Sequence, residues 1–283
     1  MLWSNKIYTA PPNSGNVLLG RTLPSLLDEA CDRAPNSHAL NQWTERGWQP
    51  LSERAFRTAT EEVALGLSNL GLEKGDRVAL LMQSDVNFCI VDMGCLLAQL
   101  IDVPIDLTQT LENIVFITQH SEAKGLIVSN LDLLDHIIPY LSSTPDLQIA
   151  IVADVPLDWQ GQSKHPRSLQ IFSLAEIRQR GQAQMSDERQ QQLRASLTAN
   201  DLATIIYIPG ATGKPQGVML THENLSANAL AMFSGIPDLE LGAKEVILSF
   251  LPLTHVFARV FFYGHMNYGH SVYFTTPNRV MKH

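Results

Sequence analysis

Residues 56 to 153 alternate between segments with helical periodicity and short apolar segments typical of buried strands. In the first segment Phe56, Ala59, Val63 and Leu67 recur at steps of three and four, which places them on one face of a helix. The segment RVALLM follows as a short buried strand. Because strands that alternate with helices pair in parallel through right-handed crossovers, this pattern predicts an open, doubly wound α/β sheet up to about residue 155.

The later segments of this region continue the alternation. Helices are predicted for residues 85–100 and for LENIVFITQH and LDLLDHIIPYL, and strands for DVPID, GLIVS and LQIAIVA. The pattern weakens from residue 156 to 200, where RQRGQAQMSDERQQQLRAS is polar and indicates either a solvated helix or a connector. A subdomain boundary is therefore predicted there, with a first α/β subdomain over residues 1–195 and the start of a second over 196–283.

A second series of elements follows the boundary. LATIIYI is typical of a buried strand, GVML of a short extended piece, and EVILSF and SVYF of further strands. Thr221 is placed to cap a helix through HENLSANALAMF. His222-Glu223 at its start lacks the second histidine of a HExxH zinc motif, and we expect it on the helix surface.

Composition excludes several classes of protein. The net charge of −8 argues against a general nucleic-acid binder, which needs a basic face. Three cysteines without a CxxC pair suggest reduced thiols and a cytoplasmic protein. The first residues lack the apolar core of a signal peptide. The apolar run at 88–101 is shorter than the ~20 residues of a membrane span and contains Asp92, which favours a buried helix and leaves only peripheral membrane contact open.

A loop with the composition of a phosphate site follows the strand LATIIYI. Its candidate phosphate-binding residues are Gly210, Thr212, Gly213, Lys214 and Gly217. Glycine lets main-chain N–H groups converge on a phosphate, and a hydroxyl and a lysine add hydrogen bonds and charge. The spacing matches neither GxxxxGK[ST] nor GxGxxG, however, so spacing alone favours an ordinary β-turn.

The wider sequence around the loop resembles the signature of the adenylate-forming enzymes, which include acyl-CoA synthetases, luciferases and peptide-synthetase adenylation domains. YIPGATGKPQGVMLTHENL is similar to the family's usual YTSGTTGxPKGVMLTHxNL. KGDRVALLMQSDVNFCIVDMGCLLAQLIDVPID and TLENIVFITQHSEAKGLIVS look like earlier family segments. EVILSFLPLTHVFAR looks most like the long-chain fatty acyl-CoA synthetase branch. The resemblance covers nearly the whole chain in order.

The resemblance implies a reaction and its participants. Family members join a carboxylic acid, here a fatty acid, to the AMP part of ATP with Mg²⁺, and many then pass the acyl group to coenzyme A. The carried-over loop would stabilise the departing pyrophosphate through the five residues named above. His255 would lie near the acyl and adenylate pocket, with Phe257 and Arg259 beside it. The resemblance assigns neither a metal-ligating residue nor a catalytic residue in this chain.

The sequence departs from the family pattern in two ways. Ile208-Pro209, Ala211 and Gln216 replace three hydroxyl residues and a lysine, and Pro209 also lacks an N–H. The family's downstream Tyr-Gly-x-Thr-Glu motif, ribose-binding aspartate and C-terminal catalytic lysine have no equivalents among the 283 residues. We therefore expect weak ATP binding and little ligase activity from this polypeptide, and self-association through exposed apolar surface.

Three hypotheses remain open at this point. The chain is a fragment of a long-chain acyl-CoA ligase, or a non-catalytic homologue that acts as a binding or interaction module, or an unrelated nucleotide-binding α/β protein. The third requires a loop that leads from a strand into a helix. Acyl chain length, the final acyl acceptor and the oligomeric state are not encoded in any recognisable motif.

Overall fold

The computed structural model describes residues 17–33, 35–156, 158–159, 169–210, 213–236 and 238–275. The α-helices in these ranges are α1 (Leu23–Arg33), α2 (Glu53–Asn69), α3 (Val86–Leu97), α4 (Leu111–His120), α5 (Leu131–Ile137), α6 (Leu174–Gln182), α7 (Asp187–Ala195), α8 (His222–Ser234) and α9 (Val256–Tyr268). The strands are β1 (Leu40–Thr44), β2 (Gly47–Leu51), β3 (Arg77–Leu81), β4 (Ile101–Pro104), β5 (Gly125–Asn130), β6 (Ile149–Asp154), β7 (Gln170–Ser173), β8 (Leu202–Ile208), β9 (Gln216–Thr221), β10 (Val246–Ser249) and β11 (Ser271–Phe274). A 3₁₀ helix, Ile138–Ser143, directly follows α5.

The strands form two sheets. A seven-stranded sheet has the order β7-β6-β5-β3-β4-β8-β9, and a four-stranded sheet has the order β10-β11-β1-β2. Strand pairs are parallel apart from the antiparallel pairs β8–β9 and β1–β2. The predicted open α/β sheet is confirmed, since its parallel strands alternate with helices along the chain.

Two apolar cores cover the two faces of the seven-stranded sheet. Side chains alternate along β3, so Val78 and Leu80 join one core while Ala79 and Leu81 join the other. The first core includes the apolar face of α2 and most of α3. The second includes Ile114 of α4 and buried residues of α5. A parallel sheet buried on both faces explains why its strands are continuously apolar in the sequence.

The polar segment before residue 200 forms two helices, α6 and α7, so the helical alternative was correct and the connector alternative was wrong. Ser173 caps α6 in a capping box with Glu176. Ser186 caps α7 by accepting the N–H of Arg189. The side chains of α7 are exposed or half-buried, which explains the weak apolar periodicity of this segment.

The start of α8 is confirmed at the predicted cap. The Thr221 hydroxyl accepts the N–H of Asn224 at 3.2 Å, and the Asn224 side chain accepts the N–H of Thr221 at 3.1 Å. The expected surface position of His222 was wrong, because α1 packs over this helix start and His222 is fully buried. Its Nδ1 accepts the N–H of Leu23 at 3.3 Å.

Both sheets take strands from either side of residue 195, where the sequence predicts a subdomain boundary. β8 and β9 join the sheet of β3 to β7, and the early hairpin β1–β2 joins β10 and β11. In that pairing Leu40 lies opposite Val272. The hairpin therefore ties the beginning of the described chain to its end.

The edge strand β10 exposes apolar side chains. It pairs with β11 on one side, and Val246 and Leu248 are largely exposed. Phe257, at the start of α9, is 60% exposed. Within the ranges given above, no helix combines the length and apolarity needed to cross a bilayer.

Candidate functional site

The candidate phosphate loop lies in a hairpin between two strands. β8 ends at Ile208 and β9 begins at Gln216, and these two residues face each other in antiparallel register. A P-loop instead leads from a strand into a helix whose N-terminus holds the phosphate. The hairpin therefore argues against the third hypothesis, an unrelated nucleotide-binding protein.

Glycines close this loop tightly. A Cβ at Gly210 would lie 2.1 Å from the carbonyl oxygen of Lys214, and Gly213 has a φ of +84°. The N–H of Gly213 donates to the carbonyl oxygen of Gly210 at 3.0 Å. This amide is used within the turn, although the sequence prediction assigns it to phosphate. Thr212 lies outside the described residues.

The lysine of the loop is exposed beside an aromatic cluster. The Nζ atom of this residue, Lys214, lies 5.7 Å from the ring centroid of Phe116. Phe116 stacks on His120, whose Nδ1 is 2.8 Å from the hydroxyl oxygen of Tyr207. Gly217 packs closely on the same cluster, since a Cβ there would lie 3.2 Å from the Tyr207 ring. The charge of Lys214 is thus available to an anion, because its ammonium has no carboxylate partner among the described residues.

A groove of about 700 Å³ opens where strands of both sheets end. Gln83 and Ser84 follow β3, Asp106 and Thr108 follow β4, and Phe250 follows β10. Ligands of open α/β sheets bind outside the carboxyl ends of the strands. Because β8 is parallel to β4 and adjacent to it, the loop after β8 leaves the sheet at this same edge.

Among the described residues, Asp106 is one of two carboxyl residues that line the groove, the other being Asp85. The hydroxyl of Thr108 donates to Oδ1 of Asp106 at 2.6 Å, and that of Thr254 donates to its Oδ2 at 2.9 Å. Partial burial raises the pKa of Asp106, but the hydrogen bonds from the two threonines and the charge of His255 outweigh it and lower the pKa below its usual value. His255 is exposed at the N-cap of α9 and directly follows Thr254, which lines the groove, although His255 is not itself a lining residue.

An apolar cavity of about 240 Å³ lies between β10 and α9. Its lining includes Leu248, Phe257, Phe261 and His265. Phe250 lines both this cavity and the groove, so the two adjoin. A groove that carries hydroxyl and carboxyl groups and adjoins an apolar cavity suits a molecule with a charged head and a hydrocarbon tail.

Arg259 is fully buried in a network of charged and hydroxyl groups. Its guanidinium donates to both carboxylate oxygens of Asp102, at 3.0 and 2.8 Å, and to Asp92. It also donates to the hydroxyls of Thr204 and Tyr263, at 2.9 and 3.1 Å. Burial raises the pKa of Asp92 to about 7 despite the opposing charge of the guanidinium. The network joins α9 to α3, β4 and β8.

The structure separates the residues that the sequence grouped as a substrate pocket. His255 is exposed next to the groove residue Thr254 and Phe257 lines the apolar cavity, whereas Arg259 points to the carboxylates of the core. The role predicted for Arg259 beside the pocket stays a prediction. Sequence reasoning missed Asp106 and Thr254, although a polar residue directly after a predicted strand was a usable signal for Asp106.

No cluster of three or more histidine, cysteine or acidic side chains within reach of one metal ion occurs in the part of the chain that the structure describes. The histidines of α9 and the turn after it, His265 and His270, contact each other and a carbonyl oxygen. A structural metal site needs about four such ligands around one ion. The described groove and loop do not supply that set.

Comparison with known sequences places the chain in a family. The sequence profile described as AMP-binding enzyme matches residues 27–283. A similar protein is the long-chain-fatty-acid–CoA ligase ACSBG2 of Xenopus laevis, 27% identical over 259 residues, which are 91% of this chain and 34% of the relative. The rat ACSBG2 is 29% identical over 84% of this chain and 35% of its own length. The chain thus spans about a third of the length of these relatives.

Comparison with solved structures supports the fold. A fatty acyl-CoA synthetase of Mycobacterium tuberculosis has a TM-score of 0.65 at 22% identity, over 90% of this chain and 44% of that one. The A domain of a carboxylic acid reductase of Segniliparus rugosus, solved with AMP and a carboxylic acid, has a TM-score of 0.72 at 17% identity, over 90% of this chain and 45% of that one. The resemblance predicted from the sequence is confirmed, and the chain belongs to the AMP-binding family of adenylate-forming enzymes.

Proposed function

We propose that this chain supplies the acyl-binding part and a weak phosphate-contacting loop of a long-chain fatty acid–CoA ligase-type protein. Such a protein converts a fatty acid and ATP to acyl-AMP and then to acyl-CoA. The observation that carries the proposal is the apolar cavity between β10 and α9, which adjoins the groove of Asp106 and Thr254 at Phe250. A fatty acid has the matching form, with a hydrocarbon tail and a carboxylate head.

Specific residues would perform each part of this function. Phe257 and Phe261 would contact the tail, and burial of each methylene contributes about 0.8 kcal/mol. The carboxylate head would lie in the groove on the side of His255, the residue that also interacts with the charge of Asp106. Lys214 would attract the phosphates of ATP from the loop at the same sheet edge. The chain would then hold both reactants at the carboxyl ends of its strands.

Mg²⁺ and coenzyme A enter the proposal through the family. The loop offers Mg²⁺ a lysine and main-chain amides but no carboxylate, so its described residues do not fit a site for this ion. When bound with ATP, Mg²⁺ neutralises charge on the phosphates. Coenzyme A would act as the acyl acceptor, as the names of the ACSBG2 relatives state for those proteins.

The alternative of a non-catalytic binding module has its own support. The N–H of Gly213 is already bonded within the turn, and Pro209 provides none. A loop with few free donors would bind ATP poorly while the cavity still binds a fatty acid. The two hypotheses therefore differ in whether nucleotide binding accompanies fatty-acid binding.

Restoring family residues in the loop is expected to strengthen ATP binding. In the double variant Pro209→Ser and Gln216→Lys, one N–H, one hydroxyl and one positive charge return. Each charge-assisted hydrogen bond contributes about 1.5–3 kcal/mol, so the dissociation constant for ATP should fall at least tenfold. Thermal unfolding at increasing ATP concentration measures this, because ligand binding to the native state raises stability.

Two lysine variants control this experiment. Lys214→Met should abolish the response to ATP, whereas Lys244→Met should not, because Lys244 is exposed and paired with Glu240. A double variant that melts identically with and without millimolar ATP would favour the binding module over the ligase hypothesis.

Filling the cavity is expected to weaken fatty-acid binding. Ala258 is buried and lines the cavity, and Ala258→Leu would place three more carbon atoms in a space for roughly ten heavy atoms. We expect an affinity for dodecanoic acid at least tenfold lower, measured by displacement of a fluorescent fatty acid. Ala55→Leu on the exposed side of α2 is the matched control and should bind as the wild type does. Equal affinity in both variants would place the fatty acid elsewhere.

The exposed apolar side chains of β10 and α9 support the expectation of self-association. Val246, Leu248 and Phe257 are each more than two-fifths exposed. Contiguous apolar surface of this kind marks contacts with proteins, ligands or membranes. Self-association and peripheral membrane contact remain proposals for this edge.

A further inference from the structure

One polar atom at the cavity has no hydrogen-bond partner. His265 is only 3% exposed and lines the cavity between β10 and α9. Its Nδ1 lies 2.8 Å from Nδ1 of His270. No described residue offers a partner to its Nε2, which is buried. Since Nδ1 faces His270, which does not line the cavity, Nε2 lies on the side of the ring away from that contact. A buried polar group without a partner is costly.

The neighbouring contacts define the protonation of this atom. Nε2 of His270 is 2.7 Å from the carbonyl oxygen of Glu240, which can only accept, so His270 carries its proton on Nε2. Burial lowers the pKa of both rings, and the pKa of His265 falls to about 3 because a positive charge on His270 would also oppose its protonation. Both rings are therefore neutral at neutral pH. Nδ1 of His270 must then accept, and Nδ1 of His265 must donate. Nε2 of His265 is left as a bare acceptor.

This acceptor lies where the tail of a bound fatty acid would end. Phe257 and His265 are eight residues apart on α9, which corresponds to about 12 Å along the helix axis. Phe257 is exposed at the end where β10 finishes and the groove begins, whereas His265 is buried. A chain that enters from the groove therefore reaches His265 last.

Water is a poor partner for this acceptor. A buried water needs two to four polar partners. The rings of Phe261 and Phe233 contact the His265 ring edge to face, with centroid distances of 4.3 and 4.7 Å. The other polar lining residue, Ser249, lies at the end of β10 nearer the groove. A hydroxyl carried on an apolar chain would donate its one proton to Nε2, and only the acceptor lone pairs of its own oxygen would remain without a partner.

We propose that the cavity between β10 and α9 takes a fatty acid with a hydroxyl at or near the tail, and that this hydroxyl donates to Nε2 of His265. The inference rests on the proposed function, in that it assumes the cavity holds an acyl chain. It adds the class of substrate, which is an ω-hydroxy or near-terminal hydroxy acid.

Matched ligand pairs test this proposal on the unmodified chain. The ligands are ω-hydroxy acids of about ten to fourteen carbons and the plain acids in which a methyl group replaces the hydroxyl, each measured by isothermal titration calorimetry. One hydrogen bond predicts roughly three- to tenfold tighter binding of the best hydroxy acid than of its partner. Equal or weaker binding of every hydroxy acid, with the plain acids still bound, would overturn this inference and leave the proposed function intact. Failure of both ligand classes to bind would overturn both.

The variant His265→Phe removes the acceptor and keeps an aromatic ring between Phe233 and Phe261. The preference should then reverse in favour of the plain acid, because the hydroxyl would be buried without a partner. Imidazole ¹⁵N chemical shifts of the wild type provide a second measurement that does not depend on the variant's folding. They should show Nε2 of His265 unprotonated in the free chain. The ¹⁵N resonance of this atom should shift when the hydroxy acid binds. A protonated Nε2 in the free chain would contradict the proposal.

Discussion

Replacing Arg259 by leucine is expected to lower the free energy of unfolding by about 3–5 kcal/mol. The guanidinium is fully buried and bonds to both Asp92 and Asp102. Without it, two carboxyl groups remain in the core with no positive charge, and both must take up protons or unfold the region. Urea denaturation followed by circular dichroism measures the change, with a decrease in the midpoint at similar slope.

Asp92→Asn is the control for this prediction. Burial raises the pKa of Asp92, so its negative charge is costly at this position, and asparagine keeps the shape of the side chain and an oxygen that accepts from Arg259. The cost should be smaller than that of Arg259→Leu, on the order of 1 kcal/mol. Equal stability of Arg259→Leu and the wild type would show that the network does not hold α9 against β4, and the position of the cavity would lose its explanation.

Gly181→Ala is expected to destabilise the chain by about 3 kcal/mol, a large value for one methyl group. The added Cβ would lie 1.7 Å from the carbonyl oxygen of Glu62, where α6 crosses α2. The same crossing holds Gly66, whose Cβ would lie 2.2 Å from the carbonyl oxygen of Ile177. Neither backbone can move away from the added Cβ without separating α2 from α6. The denaturant concentration at the unfolding midpoint should therefore be clearly lower than for the wild type.

Gly235→Ala provides the matched control. Gly235 follows α8 with a φ of −86°, and its nearest neighbour to a new Cβ is the carbonyl oxygen of Met232 at an ordinary 3.5 Å. We expect a change within about 0.5 kcal/mol. If both alanine variants unfolded at the same denaturant concentration, close contact between α2 and α6 would not be a source of stability.

Local signals explain what the sequence predicts well. The strand LATIIYI, the glycine loop and the Thr221 cap depend on neighbouring residues, and each occurs where periodicity and capping chemistry place it. The alternation of strands and helices likewise predicts the parallel pairs among β3 to β7, since a strand–helix–strand crossover returns the chain in the same direction. The family motif adds the identity of the loop and the order of the segments around it.

Long-range pairings explain what the sequence does not predict. Nothing local indicates that β1 pairs with β11, whose residues Leu40 and Val272 are far apart in the chain. The partners of Arg259 lie on α3 and β4, so its place in the core follows from packing between distant elements. The bare acceptor on His265 depends on His270 and on a carbonyl oxygen at Glu240, which no spacing rule reveals.

The central claim is that this member of the adenylate-forming family holds a fatty acyl chain between β10 and α9. A dodecanoic or longer acid with a nitroxide label near its tail tests this directly, through broadening of assigned amide resonances by the unpaired electron. The account predicts the strongest broadening around Ile247 and Phe261, which line the cavity. Broadening centred on Gln192, in the separate groove between α2 and α7, would contradict it, as would no broadening at saturating ligand.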